Sequence, residues 1–184
     1  PWNCYQAYGC RSILEKYYDE MAAYTAYMEA NTTDYIYNDH PYKLADWCAP
    51  YGYDPAQQYF ETSTAYYYYG LCIMAQTAQV LGKAEDEKRY AGLAAKVKEV
   101  FLAKYYDAEN HCYGTQTLTS FCAELGLYPE GEKAAMAAWC AQDIINHDYH
   151  VTCGHIGLRY IYKFMSEFGY YEVLDKTLNS RTYP

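Results

Sequence analysis

Basic residues are scarce in this chain: 14 Lys and Arg stand against 23 Asp and Glu, for a formal net charge of −9. A surface with that bias repels phosphate backbones and anionic bilayers, so neither nucleic acid nor a membrane surface is an expected partner. No apolar run approaches the ~20 residues of a membrane span, and no stretch has the order of a secretory signal. The glycine patterns of phosphate-binding loops and dinucleotide folds are missing, as is the nucleophile elbow of serine hydrolases, which removes several common enzyme classes. Alternating apolar and polar residues, the mark of half-buried strands, are also missing, and the chain reads as all-α. Phenylalanine is nearly replaced by tyrosine, 5 against 27. Tyrosine offers a flat apolar face with a hydroxyl at its rim, suited to helix interfaces and to wet, sugar-sized pockets alike.

Cysteine is not lacking, but its usual arrangements are. The eight cysteines, at 4, 10, 48, 72, 112, 122, 140 and 153, include no CxxC pair, and several sit inside apolar helical runs such as Phe121-Cys122-Ala123 and Trp139-Cys140-Ala141. That pattern predicts small buried thiols in a reducing, cytoplasmic setting rather than a disulfide framework. His147, His150, Cys153 and His155 put four soft-metal ligands within nine residues. Their spacing matches no structural zinc site, so no metal and no cofactor is expected.

Helical periodicity organises the rest. A first amphipathic helix is predicted over Ser12–Ala30, with Ile13, Leu14, Tyr17, Met21, Tyr24 and Met28 at three- and four-residue steps. Thr62–Gly82 contains no charged residue, which predicts a helix buried on every face, and Gly82 is its expected C-terminal cap. Glu85–Tyr105 follows as a half-exposed partner, so the two form an inner–outer hairpin. The unit recurs as Thr115–Gly126 with Glu132–Asn146, and Thr152–Gly169 is a third inner helix. Gly82, Gly126 and Gly169 lie 44 and 43 residues apart, a period typical of helical-hairpin repeats. Uncharged inner helices favour a closed α/α toroid over an open solenoid, whose concave face is normally polar. Three and a half hairpins fill only part of a six-hairpin ring, and a chain running from Pro1 to Pro184 is expected to be one α-helical piece of a longer protein. Uncovered inner helices would then drive self-association or recruit the rest of the barrel.

Between the first two helices lies His40–Thr64, with prolines at 41, 50 and 55 and the rings Trp47, Tyr51, Tyr53, Tyr59 and Phe60. An irregular segment so rich in rings is a candidate binding loop. The alternative is a connection whose aromatics plug a helix interface. Taken in order, PWNCYQAYG, ADWCAP, TAYYY…MAQTAQVLGK, TQTLTSFCAELGLYP and HVTCGHIGLRYI…FGYYEVLDKTLNSRTYP are collinear over the chain with a known pattern. It resembles the catalytic domain of bacterial α-L-rhamnosidases, glycoside hydrolases built on an (α/α)6 barrel.

The resemblance implies an inverting hydrolase of terminal α-L-rhamnosides, whose acid and base stand roughly 6.5–9.5 Å apart. In that family the acid motif lies N-terminal to the region covered by this chain, and the Trp-Glu motif carrying the base lies just beyond its Tyr-Pro. No catalytic residue is therefore assigned within residues 1–184. The ADW element resembles the family's Gly-Asp-Trp, so Asp46 and Trp47 are carried over as residues lining the rhamnose subsite. Ala45 replaces the usual glycine, and Cys10 stands where an aspartate commonly follows Tyr-Gly. His155, opening an inner helix, is a further candidate sugar contact. Trp47 would present a face to the C–H side of a deoxy sugar, and Asp46 would accept from its hydroxyls. Gln116 is a candidate edge of the pocket, while among Tyr66–Tyr69 at most two rings can share a face, so these are read as packing. Other readings remain: a different carbohydrate-active α/α barrel, or a helical-repeat module binding a peptide on its concave face.

Overall fold

The computed structural model describes residues 1–38, 45–50 and 58–182. Among these the elements run α1 (Trp2–Tyr8), α2 (Arg11–Lys16), α3 (Tyr18–Ala30), β1 (Thr32–Thr33), β2 (Ile36–Tyr37), α4 (Tyr59–Leu81), α5 (Ala84–Tyr105), α6 (Gln116–Leu125), α7 (Lys133–Asn146), α8 (His155–Glu167) and α9 (Tyr171–Leu178). The all-α reading holds, apart from a two-residue antiparallel hairpin in which Thr33 pairs with Ile36. Its turn residues Asp34 and Tyr35 both take positive φ, 49° and 65°, the twist that suits a two-residue hairpin. Pro41, Tyr51, Tyr53 and Pro55 of the central loop lie outside the described residues. No helix of the described residues is long and apolar enough to cross a membrane.

The chain forms two compact units. The first comprises the described residues of Pro1–His40 and Thr64–Phe101, the second those of Pro41–Ser63 and Leu102–Pro184. In the first unit the helix expected over Ser12–Ala30 breaks at Tyr17, whose φ of −111° and ψ of 15° leave the helical region. Directly after the break Tyr18 is buried, and its hydroxyl donates to Asp86 Oδ2 at 2.7 Å. Arg89 reaches Glu29 at 2.7 Å, a second tie between α3 and the start of α5. The predicted stripe is only partly internal. Leu14 and Met28 are buried, whereas Met21, Tyr17 and Tyr24 line an apolar groove of about 530 Å³ together with Trp2, Tyr69 and Ile73.

Helix α4 corrects one expectation. Ala65, Tyr67, Tyr68, Leu71, Met74 and Ala78 are buried, but Tyr66, Gln76 and Gln79 are exposed, so the uncharged stretch Thr62–Gly82 within and just beyond α4 is not buried on every face. Amide and phenol groups solvate a helix face without bearing charge, and neutrality alone therefore overstates burial. The prediction succeeds at α6, where every residue from Gln116 to Ala123 is buried.

In the second unit α6 packs against α7 and α8, and α9 closes on α7 and α8. The core there holds Leu118, Phe121, Met136, Cys140, Ile144, Ile161, Phe164 and Met165. Each large apolar side chain so placed contributes about 1.5–3 kcal/mol relative to exposure. The three repeat glycines all take left-handed φ (75°, 81° and 76°), so the period read from the sequence marks three equivalent helix ends.

Candidate functional site

The site is built where the loop around Trp47 meets the start of α8. That helix has no capping side chain of its own: its N-cap is Gly154, and no neighbouring Ser, Thr, Asp or Asn satisfies its first amides. Unpaired amides at a buried helix start are costly, and here the partner comes from far along the chain. Asp46 Oδ2 accepts the Gly154 N–H at 2.6 Å, and Oδ1 accepts the Ile156 N–H at 2.7 Å and the Gly157 N–H at 3.3 Å. The Trp47 carbonyl accepts the remaining amide, His155 N–H, at 2.8 Å. Four consecutive amides are thus taken by two consecutive loop residues. A fourth donor to the carboxylate, the Thr117 hydroxyl in the first turn of α6, also bonds Oδ2. Asp46 is 1% exposed. A negative charge at a helix N-terminus is favourable, and hydrogen bonds to a charged acceptor are typically worth about 1.5–3 kcal/mol each.

Two glycines make the approach close enough. A Cβ on Gly154 would stand 2.3 Å from the Trp47 carbonyl oxygen and 2.9 Å from the Ala49 nitrogen. One on Gly157 would stand 2.5 Å from Thr117 Oγ1 and 2.7 Å from Cys153 Sγ. Beneath them Gln116, wholly buried, donates to Asp143 Oδ2 at 2.8 Å and accepts the Thr152 N–H at 2.9 Å. It is a brace between α6, α7 and the segment entering α8, not the pocket edge suggested by its sequence context. Burial pushes the Cys153 thiol up to about 12, the nearby Thr117 hydroxyl lowering it in part and the Asp46 charge adding to the rise, so it is inert as a nucleophile.

On this frame the two exposed rings meet. Trp47 is 72% exposed, and its ring centroid lies 6.0 Å from that of His155, the planes inclined at 52°. The pair forms an open aromatic corner with a polar imidazole on one side, an arrangement that can hold a small ring with one apolar face. Asp46, the carboxylate beside the corner, already has both oxygens engaged by protein donors.

Asp46 and Trp47, taken together in the sequence, and His155, singled out apart from them, therefore fall in one cluster. A sugar hydroxyl reaching for Asp46 would have to displace protein donors. The histidine–cysteine quartet is dispersed. His147 Nδ1 lies 2.7 Å from the Asp143 carbonyl, His150 bonds the His147 and Thr182 carbonyls, Cys153 is buried, and His155 stands by Trp47. Among the described residues no group of three metal-ligating side chains converges. Of the cysteines, 112, 122, 140 and 153 are buried as small apolar groups, whereas 4, 10 and 48 are exposed. Thr117, Gly154 and Gly157 are parts of the site that periodicity did not reveal. The available signal was a helix start, Gly-His-Ile-Gly, without a capping side chain.

A second, smaller cleft of about 330 Å³ opens beside Thr115, which caps α6 through the Leu118 N–H at 3.2 Å and pairs with Gln58 at 2.7 Å. Glu61 and Lys104 line it. Burial lifts the Glu61 carboxyl above its ordinary range, only partly offset by a hydrogen bond from its own backbone and by Lys104, and Oε2 is buried without a hydrogen-bond partner among the described residues.

Comparison with known proteins gives the fold its relatives. The bacterial alpha-L-rhamnosidase 6 hairpin glycosidase domain matches residues 1–184. An alpha-L-rhamnosidase of Formosa agariphila is 29% identical over 191 residues, covering all of this chain and 20% of that protein. The structure of alpha-L-rhamnosidase from Dictyoglumus thermophilum superposes with a TM-score of 0.88 at 34% identity, covering all of this chain and 21% of that one. The Streptomyces avermitilis alpha-L-rhamnosidase, solved in complex with L-rhamnose, superposes with a TM-score of 0.86 at 25% identity and 17% coverage of its length. This chain thus spans about a fifth of the length of these relatives. By a match that runs over its whole length, the chain belongs to the bacterial alpha-L-rhamnosidase six-hairpin glycosidase domain family.

Proposed function

We propose that residues 1–184 form part of the barrel of a glycoside hydrolase that cleaves terminal α-L-rhamnosides, with the Trp47–His155 corner lining the sugar subsite. The observation that carries this reading is an exposed tryptophan on a loop whose backbone is pinned to a helix N-terminus. Fully buried polar groups hold a ring that itself remains open to solvent, an arrangement that suits a binding wall better than a packing plug. The family relation supports the choice of sugar, and the S. avermitilis relative is solved with L-rhamnose.

Trp47 would stack on the apolar side of the deoxy sugar, and His155 would hydrogen-bond a ring hydroxyl. The acid and base of an inverting hydrolysis, with water as nucleophile, are assigned outside these residues. The remainder of the barrel would complete the pocket, and without it the exposed apolar groove of the first unit would promote association.

The test compares the 184-residue chain with the complete protein that carries it, using an aryl α-L-rhamnoside and matched aryl glycosides of other sugars. The complete protein should turn over the rhamnoside selectively, and the 184-residue chain should not exceed the buffer blank. Turnover by the short chain would place acid and base inside it. Equal turnover of all the glycosides by the complete protein would remove rhamnose from the account.

A further inference from the structure

We propose that Asp46 is a positioning residue: its carboxylate caps α8 from another part of the chain and so fixes the relative placement of the Trp47 and His155 rings. The proposal deepens the reading of that corner as a sugar wall and rests on it. The geometry is specific. One carboxylate accepts from Gly154, Ile156 and Gly157 N–H, while the next residue's carbonyl accepts from His155 N–H. The two residues bearing the exposed rings, 47 and 155, are therefore joined by a backbone hydrogen bond and flanked on either side by the Asp46 bonds. The N-cap position itself, Gly154, offers no side-chain cap. The hydroxyl of Thr117 completes the latch from α6. Asp46 is 1% exposed, so its route to a bound sugar is through the residues it holds in place, Trp47 and His155.

Thr117 is what makes the proposal testable against direct sugar contact by Asp46. Asparagine at 46 keeps the shape and the Oδ1 bonds but turns an NH2 toward Gly154 N–H, a donor facing a donor. Valine at 117 removes only the hydroxyl, and serine restores it. The variants Asp46→Asn, Thr117→Val, Thr117→Ser and Trp47→Ala would be made in the complete protein. Two readouts are taken: amide exchange in peptides spanning 152–158 against those spanning 160–167, and L-rhamnose affinity by calorimetry.

Exchange at 154–157 should accelerate about tenfold or more in Asp46→Asn and by a smaller factor in Thr117→Val, with 160–167 unchanged. Rhamnose affinity should fall in parallel, and Thr117→Ser should behave like the parent in both readouts. Unchanged exchange at 154–157 in Asp46→Asn overturns the latch. So does a loss of rhamnose affinity in Asp46→Asn with none in Thr117→Val, which would make Asp46 a direct ligand. If Asp46→Asn does not fold, Thr117→Val against Thr117→Ser decides alone by the same criteria. Deprotection at 154–157 combined with unaltered rhamnose binding in Trp47→Ala would leave the cap standing and overturn the sugar reading instead.

Discussion

Replacing Gly154 by alanine tests the meeting of loop and helix with one methyl group. Its φ of −91° is open to any residue, so the backbone itself does not resist the change. What resists is space. The new Cβ would stand 2.3 Å from the Trp47 carbonyl oxygen, 2.9 Å from the Ala49 nitrogen and 2.9 Å from Asp46 Oδ1. Two of these are backbone atoms that cannot rotate aside, so the loop must retreat. Overpacking typically costs about 1–3 kcal/mol, and retreat also stretches the bonds from Gly154 and His155 N–H, giving roughly 3 kcal/mol in total. The shift is about 2–4 °C per kcal/mol for a domain of 150–250 residues and less for a larger one, so the melting temperature of the complete protein's barrel should fall by roughly 3–6 °C. Gly157→Ala meets only side-chain atoms, Thr117 Oγ1 and those of Cys153, and should lose less. Thermal melts by circular dichroism would rank the variants. A Gly154→Ala protein that melts within a degree of its parent and binds L-rhamnose as well would refute the close approach on which the site is built.

Other consequences are separable. Gly92 sits within α5, and a methyl group added there would meet no atom within 4 Å, so Gly92→Ala should stabilise by about 0.5–1 kcal/mol, read from denaturant midpoints. Burial raises the Glu61 carboxyl, so its charged form costs stability above its folded pKa, and that cost vanishes as pH falls below the unfolded value. Glu61→Gln should therefore stabilise by roughly 1 kcal/mol near neutrality and gain nothing near pH 4; equal gains at both would contradict the burial argument. His150 bonds the Thr182 and His147 carbonyls through Nε2 and Nδ1, both at 2.9 Å, and needs both ring protons to do so. The Thr182 carbonyl, then that of His147, raises its pKa, so this tie is strong in mild acid and lost as pH rises through the folded value. Amide protection at 179–182, corrected for intrinsic rates, should be greater at pH 6 than at pH 8, and His150→Gln should abolish the difference.

Much of the fold is legible in the residues because it rests on local chemistry. Thr115 and Gly126 bracket α6 by local chemistry, the first through its capping hydroxyl and the second through a left-handed φ of 81° that the lack of a side chain permits. Where partners are remote, local patterns mislead. Periodicity predicts the third inner helix from Thr152, but it starts at His155, since its cap is Asp46, 108 residues away from Gly154. Asp46 reads as an acceptor for sugar hydroxyls because the sequence shows a carboxylate beside a tryptophan, not the four donors already upon it. Gln116 reads as a pocket edge for the same reason. The break at Tyr17 has no local signal: neither glycine nor proline marks it. Proximity in sequence likewise suggests a cluster at His147, His150, Cys153 and His155, but the chain leaves α7 at His147 and runs irregularly to His155, giving each a different neighbour.

The most direct test of the account is L-rhamnose binding to the complete protein with Trp47→Ala and His155→Ala, measured alongside thermal melts. Trp47 is 72% exposed, so its removal should leave the melting temperature nearly unchanged. Losing a stacking wall of about 1.5–4 kcal/mol should weaken binding by roughly one to three orders of magnitude, with a smaller loss for His155→Ala. Native melts together with parental rhamnose affinity in both variants would take the aromatic corner out of the sugar site.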